Sequence, residues 1–333
     1  MKRSVLVGLA LIAGLAATPA HATFPGRNGL LVFQRPVGKQ VDLYTMASDG
    51  SGVRRLTRTA TWEEKPEWSP DGQRLAVALS RPSGDPTEIA TLDASGGNLR
   101  VLTTFGSVSH APTWSPDGRI AYFTLHGAPK PSSPDDPPPA ELYSMTADGA
   151  DQQRLTNDKQ IQTDPEWSPD GSVIAYNQWR GVAGRPGVFD IGLSVVNRDG
   201  TSPRPILRVA QPRDIATQSW SPDGKRLVVE LISGHPHGRD GGRQSDIAIV
   251  NADGTGLRPL TRTAANETEP VWSPDGTRIA FASDRHVKRG KHLDRNGPAF
   301  EIYTMNADGG DIHRITHNHV PDLYPDWQAL PEG

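Results

Sequence analysis

Four ionisable residues stand at repeated offsets from a tryptophan. Glu64 and His110 lie four residues before Trp68 and Trp114, and Asp164 and Glu269 lie three residues before Trp167 and Trp272. Carboxylate oxygens and imidazole nitrogens are what Ca²⁺ and transition-metal ions coordinate, so these four form a candidate set for a divalent metal. Two of them use one offset and two the other, and successive strand residues point opposite ways, which divides the set. The same offsets carry Lys65 and Tyr324, so Glu64, Lys65, His110, Asp164, Glu269 and Tyr324 are equally candidates for gripping a polypeptide. A polar ring that merely holds water is the plainer alternative. Trp62 and Trp179 fall outside the series and are expected in loops nearby, where large aromatics would anchor a partner.

Other chemistry is thinner. His235-Pro236-His237 supplies two metal ligands, too few to specify an ion. Asp294-Arg295-Asn296-Gly297 opens like a calcium loop but has no acid at the twelfth position. The 284–299 stretch holds Arg285, Lys288, Arg289, Lys291 and Arg295, suited to an acidic partner or simply to solvent. There is no cysteine, which excludes disulfides, thiol catalysis, Cys-ligated zinc and a lipidated N-terminal Cys. No G-x-S-x-G nucleophile elbow is present.

The elements that must position these residues follow from a repeat. PEWSPDG at 66–72 returns as PTWSPDG at 112–118, PEWSPDG at 165–171, QSWSPDG at 218–224 and PVWSPDG at 270–276, with an eroded Pro325-Asp326-Trp327. The tryptophans are spaced by 46, 53, 53, 52 and 55 residues. Between copies lie an apolar run such as Arg74–Val77, a loop, and a second phrase of the type LYTMASDGSGVRRLT (43–57). Each period therefore predicts four short antiparallel strands. In Ser-Pro-Asp-Gly the proline presets φ, the aspartate bonds back to the local backbone and the glycine takes the left-handed conformation. Six such units predict an all-β, six-bladed β-propeller over residues 23–333, with Trp68, Trp114, Trp167, Trp220, Trp272 and Trp327 as repeated core residues between blades. Trp327 starts a unit whose other strands come from the chain start (28–33, 43–46, 53–57), closing the ring with a shared blade.

The W-SPDG-x-[IL]-A phrase, coupled to NADG and RLT, resembles the WD40-like (PD40) repeat of the TolB-type β-propeller family. That resemblance implies a six-bladed propeller acting in the bacterial periplasm or outside the cell. The family's namesake carries an α/β domain ahead of its propeller, whereas here the first strand is expected within about ten residues of a processing site, leaving no room for one. Propeller peptidases share similar repeats but add a hydrolase domain.

Composition agrees. The chain has 34 glycines and 30 prolines in 333 residues, a mean hydropathy of −0.52 and a net charge of −3, so turns are frequent and neither a membrane span nor nucleic-acid binding is expected. Lys2 and Arg3, the apolar run Val5–Ala17 and the small residues before Thr23 predict a signal peptide over 1–22, hence a periplasmic or secreted monomer. The connections at 126–140, 179–189, 232–244 and 284–299 are long and mutually unlike, and they share the face opposite the SPDG turns. Function is expected on that face. The leading expectation is a non-catalytic binder of a protein or peptide in the cell envelope, with no cofactor unless a Ca²⁺ or other divalent ion sits in the channel. A lactonase-like hydrolase with that metal and an envelope polysaccharide binder are the alternatives.

Overall fold

The computed structural model describes residues 24–81, 86–104, 106–127, 138–158, 160–181, 189–209, 213–233, 244–287 and 300–331. These fold as six four-stranded antiparallel blades. Blade I is β1 (Arg27–Val37), β2 (Gln40–Met46) and β3 (Arg54–Arg55), completed by the last strand, β24 (Leu323–Leu330). Blade II is β4 (Trp62–Trp68), β5 (Arg74–Ser80), β6 (Glu88–Asp93) and β7 (Arg100–Val101). Blade III is β8 (Ser109–Trp114), β9 (Arg119–Thr124), β10 (Glu141–Thr146) and β11 (Gln153–Arg154). Blade IV is β12 (Ile161–Trp167), β13 (Val173–Gly181), β14 (Phe189–Asn197) and β15 (Arg204–Leu207). Blade V is β16 (Arg213–Trp220), β17 (Arg226–Ser233), β18 (Gln244–Asn251) and β19 (Arg258–Pro259). Blade VI is β20 (Glu267–Trp272), β21 (Arg278–Ser283), β22 (Glu301–Asn306) and β23 (His313–Arg314). The ring closes as the sequence implies: β24 pairs antiparallel with β1, Leu31 opposite Trp327 and Arg27 opposite Leu330.

The turn phrase behaves as its chemistry dictates. Ser69 Oγ donates to Asp71 Oδ1 at 2.6 Å, the same oxygen accepts the Gln73 amide at 3.1 Å, and Gly72 N donates to Ser69 O at 2.8 Å. Gly72, Gly118, Gly171, Gly224 and Gly276 all have positive φ. The six repeated tryptophans are 0–4% exposed, and each packs toward the preceding blade. Trp68 joins Val32 and Leu43 of blade I, and Trp220 joins Ala175 and Leu193 of blade IV. Guanidinium groups cap several of these contacts, as where Arg74 lies 5.0 Å from the Trp114 ring and Arg226 4.9 Å from that of Trp272.

The outer strands are shorter than the RLT phrase suggests, because its threonine leaves the ladder to do other work. Thr57, Thr103, Thr156, Thr261 and Thr316 each accept, through Oγ1, a backbone N–H of the third strand at 2.8–2.9 Å. Thr156 also donates to Glu141 at 2.8 Å, and Arg154 pairs with that same carboxylate at 2.8 Å. Hydroxyl and guanidinium thus satisfy a buried acid at the blade's outer corner. No helix among the described residues is long and apolar enough to cross a membrane.

Candidate functional site

The six tryptophan strands stand innermost and enclose an axial channel with a cavity of about 120 Å³. Each carries a bulge just before its tryptophan: the pairing shifts between Glu64 and Glu67, His110 and Thr113, Thr163 and Glu166, Ala216 and Gln218, and Thr268 and Val271. In five blades the residue three before the tryptophan takes a left-handed conformation: Lys65 (φ 47°), Ala111 (51°), Asp164 (50°), Glu269 (56°) and Tyr324 (52°). Non-glycine residues pay for that geometry in strain, which recurs where side chains are aimed at a ligand. The bulge breaks the alternation of the strand. Lys65, Pro66 and Glu67 in succession therefore all line the channel, as do Asp164, Pro165 and Glu166.

The candidate residues separate into those that line the cavity and those just behind it. Lys65, Asp164, Glu269 and Tyr324 line the channel, whereas Glu64 and His110, one residue earlier, do not. Glu64 accepts a long bond from Ser80 Oγ (3.4 Å), and the His110 ring packs 5.8 Å from that of Phe123. Among the described residues no three His, Cys, Asp or Glu are grouped so as to hold a metal ion. Trp62 and Trp179 are not in loops: Trp62 opens β4 and Trp179 lies within β13, because both strands run further toward the variable face than the apolar pattern suggests. Trp179 is half-buried, donates to Thr163 Oγ1 at 3.3 Å beside Asp164, and meets the Phe189 ring edge-on at 6.0 Å. Trp62 Nε1 donates to Lys39 O at 2.7 Å. The histidine pair at 235–237, the calcium-like segment at 294–297 and the basic residues from Lys288 onward lie outside the described residues.

The channel mouth is a network that crosses the ring. The Lys65 ammonium pairs with Asp164, two blades away, and lies 5.2 Å from the Tyr324 ring. Gln218 Nε2 donates to the Asp164 carbonyl, and Tyr324 N donates to Glu269 Oε2 at 2.6 Å. Burial alone would raise Asp164, but the Lys65 charge and hydrogen bond outweigh it and hold its carboxyl below the usual range. Burial and then the Lys65 charge push His110 down to about 3, so its imidazole is neutral. Burial pushes Glu269 up to about 8.

Deeper lies a ring that reading only the third and fourth positions missed. Glu67, Glu166 and Asp326 occupy the position immediately before Trp68, Trp167 and Trp327, and all three line the channel. Their signal was the acid of PEW and PDW, two places from the candidate at the third position and so on its strand face. Glu67 Oε1 accepts Thr113 Oγ1 at 3.0 Å and Trp114 N at 2.8 Å, and Asp326 Oδ2 accepts Trp68 N at 2.7 Å. These acids stitch one blade to the next. Among the described residues the Glu166 carboxyl meets just Thr113 Oγ1, at 3.4 Å, while the Glu166 carbonyl accepts Trp220 Nε1 at 3.3 Å. Burial, followed by the charge of the neighbouring acids, raises Glu67 and Glu166 well above the carboxylate range, and burial puts Asp326 at about 7. At the SPDG end Phe24 lines the channel, while Gly26 N donates to Pro274 O at 3.2 Å.

Comparison with known proteins agrees with this architecture. Residues 204–330 match the TolB beta propeller domain, PD40. The chain is 31% identical over 145 residues to a protein TolB homolog of Chlorobium luteolum, covering 44% of this chain and 29% of that protein. It is 32% identical over 132 residues to the Tol-Pal system protein TolB of Anaeromyxobacter dehalogenans, covering 40% of this chain and 26% of that one. The matched segments thus span less than a third of these relatives. The crystal structure of TolB from Acinetobacter baumannii superposes with a TM-score of 0.67 at 21% identity, over 90% of this chain and 67% of that one, a likeness of fold. The domain match covers blades V and VI, and the other blades carry the same repeat, so the chain is similar in fold and repeat to the TolB-type β-propellers.

Proposed function

We propose that the chain is an exported, non-catalytic propeller that binds a polypeptide partner of the cell envelope through its variable-loop face and channel mouth. The observation that carries this reading is the strained collar: five blades hold a non-glycine residue at positive φ where the chain meets the mouth. Around it stand a bridging ion pair, Lys65 with Asp164, and the half-buried Trp179 with Phe189, a combination of aromatic and charge that anchors polypeptides. One relative is named as a Tol-Pal system protein, which supports an envelope setting and a protein partner for this chain.

The test is affinity capture from an envelope extract, with the full chain as one bait and a variant carrying Trp62→Ala, Asp164→Ala and Trp179→Ala as the other. A protein held by the first bait and lost by a folded second bait supports the reading. Equal recovery, or no retained protein, refutes it. Fractionation that finds the chain in the cytoplasm refutes the export half.

A further inference from the structure

The channel is lined by acids that burial keeps largely protonated, and a cation placed among them would favour their ionised, accepting form. Asp164, Glu269, Glu67, Glu166 and Asp326 line it against a single cation, Lys65, and that ammonium is already committed to Asp164. Among the described residues no cationic side chain pairs with Glu67, Glu166 or Asp326. A second, independent feature points the same way. Gln218 lines the channel at 7% exposure, and while its amide nitrogen is bonded, its amide oxygen has no partner. A buried acceptor without a donor is costly, and a guest that brings N–H groups removes the cost. These acceptors therefore select a guest rich in N–H and positive in charge, and disfavour anions.

The shape narrows the guest further. Between the mouth, at Lys65, Asp164, Glu269 and Tyr324, and the acid ring stand Pro66, Pro112, Pro165, Pro270 and Pro325, an apolar collar. The two levels are two residues apart along each strand, no more than roughly 7 Å. An alkyl stem suits the collar and a charged head suits the ring, as when long basic side chains bury their methylenes and extend their tips. A bare metal ion would not use the collar, and no described group of side chains is arranged to coordinate one.

We propose that the channel takes one lysine or arginine side chain of the bound polypeptide, its methylenes against the proline collar and its N–H donors on Glu67, Glu166, Asp326 and the Gln218 oxygen. This rests on the mouth being a polypeptide-binding site and adds the chemistry of the inserted residue. It is testable without the partner. Calorimetry on the intact chain would compare N-acetyl-lysine methylamide with its norleucine analogue, cadaverine and CaCl₂. The blocked lysine binds and the norleucine analogue does not. Glu166→Gln, which alters a carboxyl whose one hydrogen-bond contact among the described residues is the long one with Thr113, binds the lysine probe about tenfold more weakly, the loss of one charge-assisted bond, with an unchanged melting temperature. Equal binding of norleucine and lysine probes, or an unaffected Glu166→Gln, overturns the proposal. Cadaverine far tighter than the blocked lysine makes this a free-amine site, and Ca²⁺ displacing the lysine probe makes it a metal site; either result overturns the assignment. If no probe binds while the capture experiment still retains its partner, the inserted residue is refuted and the docking face stands.

Discussion

Replacing Gly96 by alanine separates two costs that a glycine can hide. Gly96 sits in the turn between the third and fourth strands of blade II with φ of 85°, and a Cβ there would overlap the backbone carbonyl oxygen of Leu56, in blade I. The turn glycines of the other blades meet the preceding blade in the same way, Gly149 against Leu102 O at 3.0 Å and Gly309 against Leu260 O at 3.0 Å. Gly38, in the hairpin between β1 and β2, has a φ of 66° but nothing within 4 Å of its would-be Cβ. Gly38→Ala therefore reports backbone strain alone, about 1 kcal/mol. Gly96→Ala adds a displacement of one blade's backbone against its neighbour, for a total of about 3 kcal/mol. Urea unfolding followed by tryptophan fluorescence, with both variants beside the parent chain, gives the two losses. Equal losses would refute the claim that these glycines set the spacing between blades.

Three further outcomes follow from the same geometry. Thr156→Val removes the acceptor of Leu142 N and a donor to the buried Glu141, and should cost about 2 kcal/mol in the same urea assay; a loss below about 0.5 kcal/mol would contradict the corner role. Burial raises Asp326 to about 7 and Glu269 to about 8, so the folded chain holds protons that the unfolded chain releases near pH 4. Their contribution is complete in acid and is lost as pH rises through 7 to 8; unfolding midpoints should be lower at pH 8.5 than at pH 5.5, and Asp326→Asn should flatten that slope. Deleting residues 321–333 removes β24 and should lower the melting temperature markedly or yield aggregates, and an unchanged melt would contradict ring closure through blade I.

The blades were legible because every unit repeats the same answer: one large ring for the core, one Pro-Asp-Gly for the tight turn, one apolar run for the covered strand. The site was less so, for a backbone reason. Alternation predicts that Glu64 and Lys65 face opposite ways, but it cannot foresee that Lys65 adopts a left-handed φ and lets Lys65, Pro66 and Glu67 share one surface. Pattern reading took the third and fourth positions together, Glu64 and His110 included, and stopped short of Glu67, Glu166 and Asp326, which alternation alone puts on the face of the third position. Trp62 and Trp179 were assigned to loops because the variable-face ends of β4 and β13 carry polar neighbours, Glu63 with Glu64 and Gln178 with Arg180, where buried hydrogen bonds rather than apolar contacts sustain the strand.

The pairing of β24 with β1 joins residues almost three hundred positions apart, Val32 beside Asp326. A chain synthesised amino end first must therefore wait with three strands of blade I assembled and their innermost edge bare. That edge offers unpaired amides and carbonyls to any extended segment, and a β24 segment has the register to claim it. The last strand acts as a latch fastened once, at the end of synthesis. A neighbour's β24 fits the same edge equally well, so crowding newly made chains before the latch closes should favour swapped dimers over misfolded monomers.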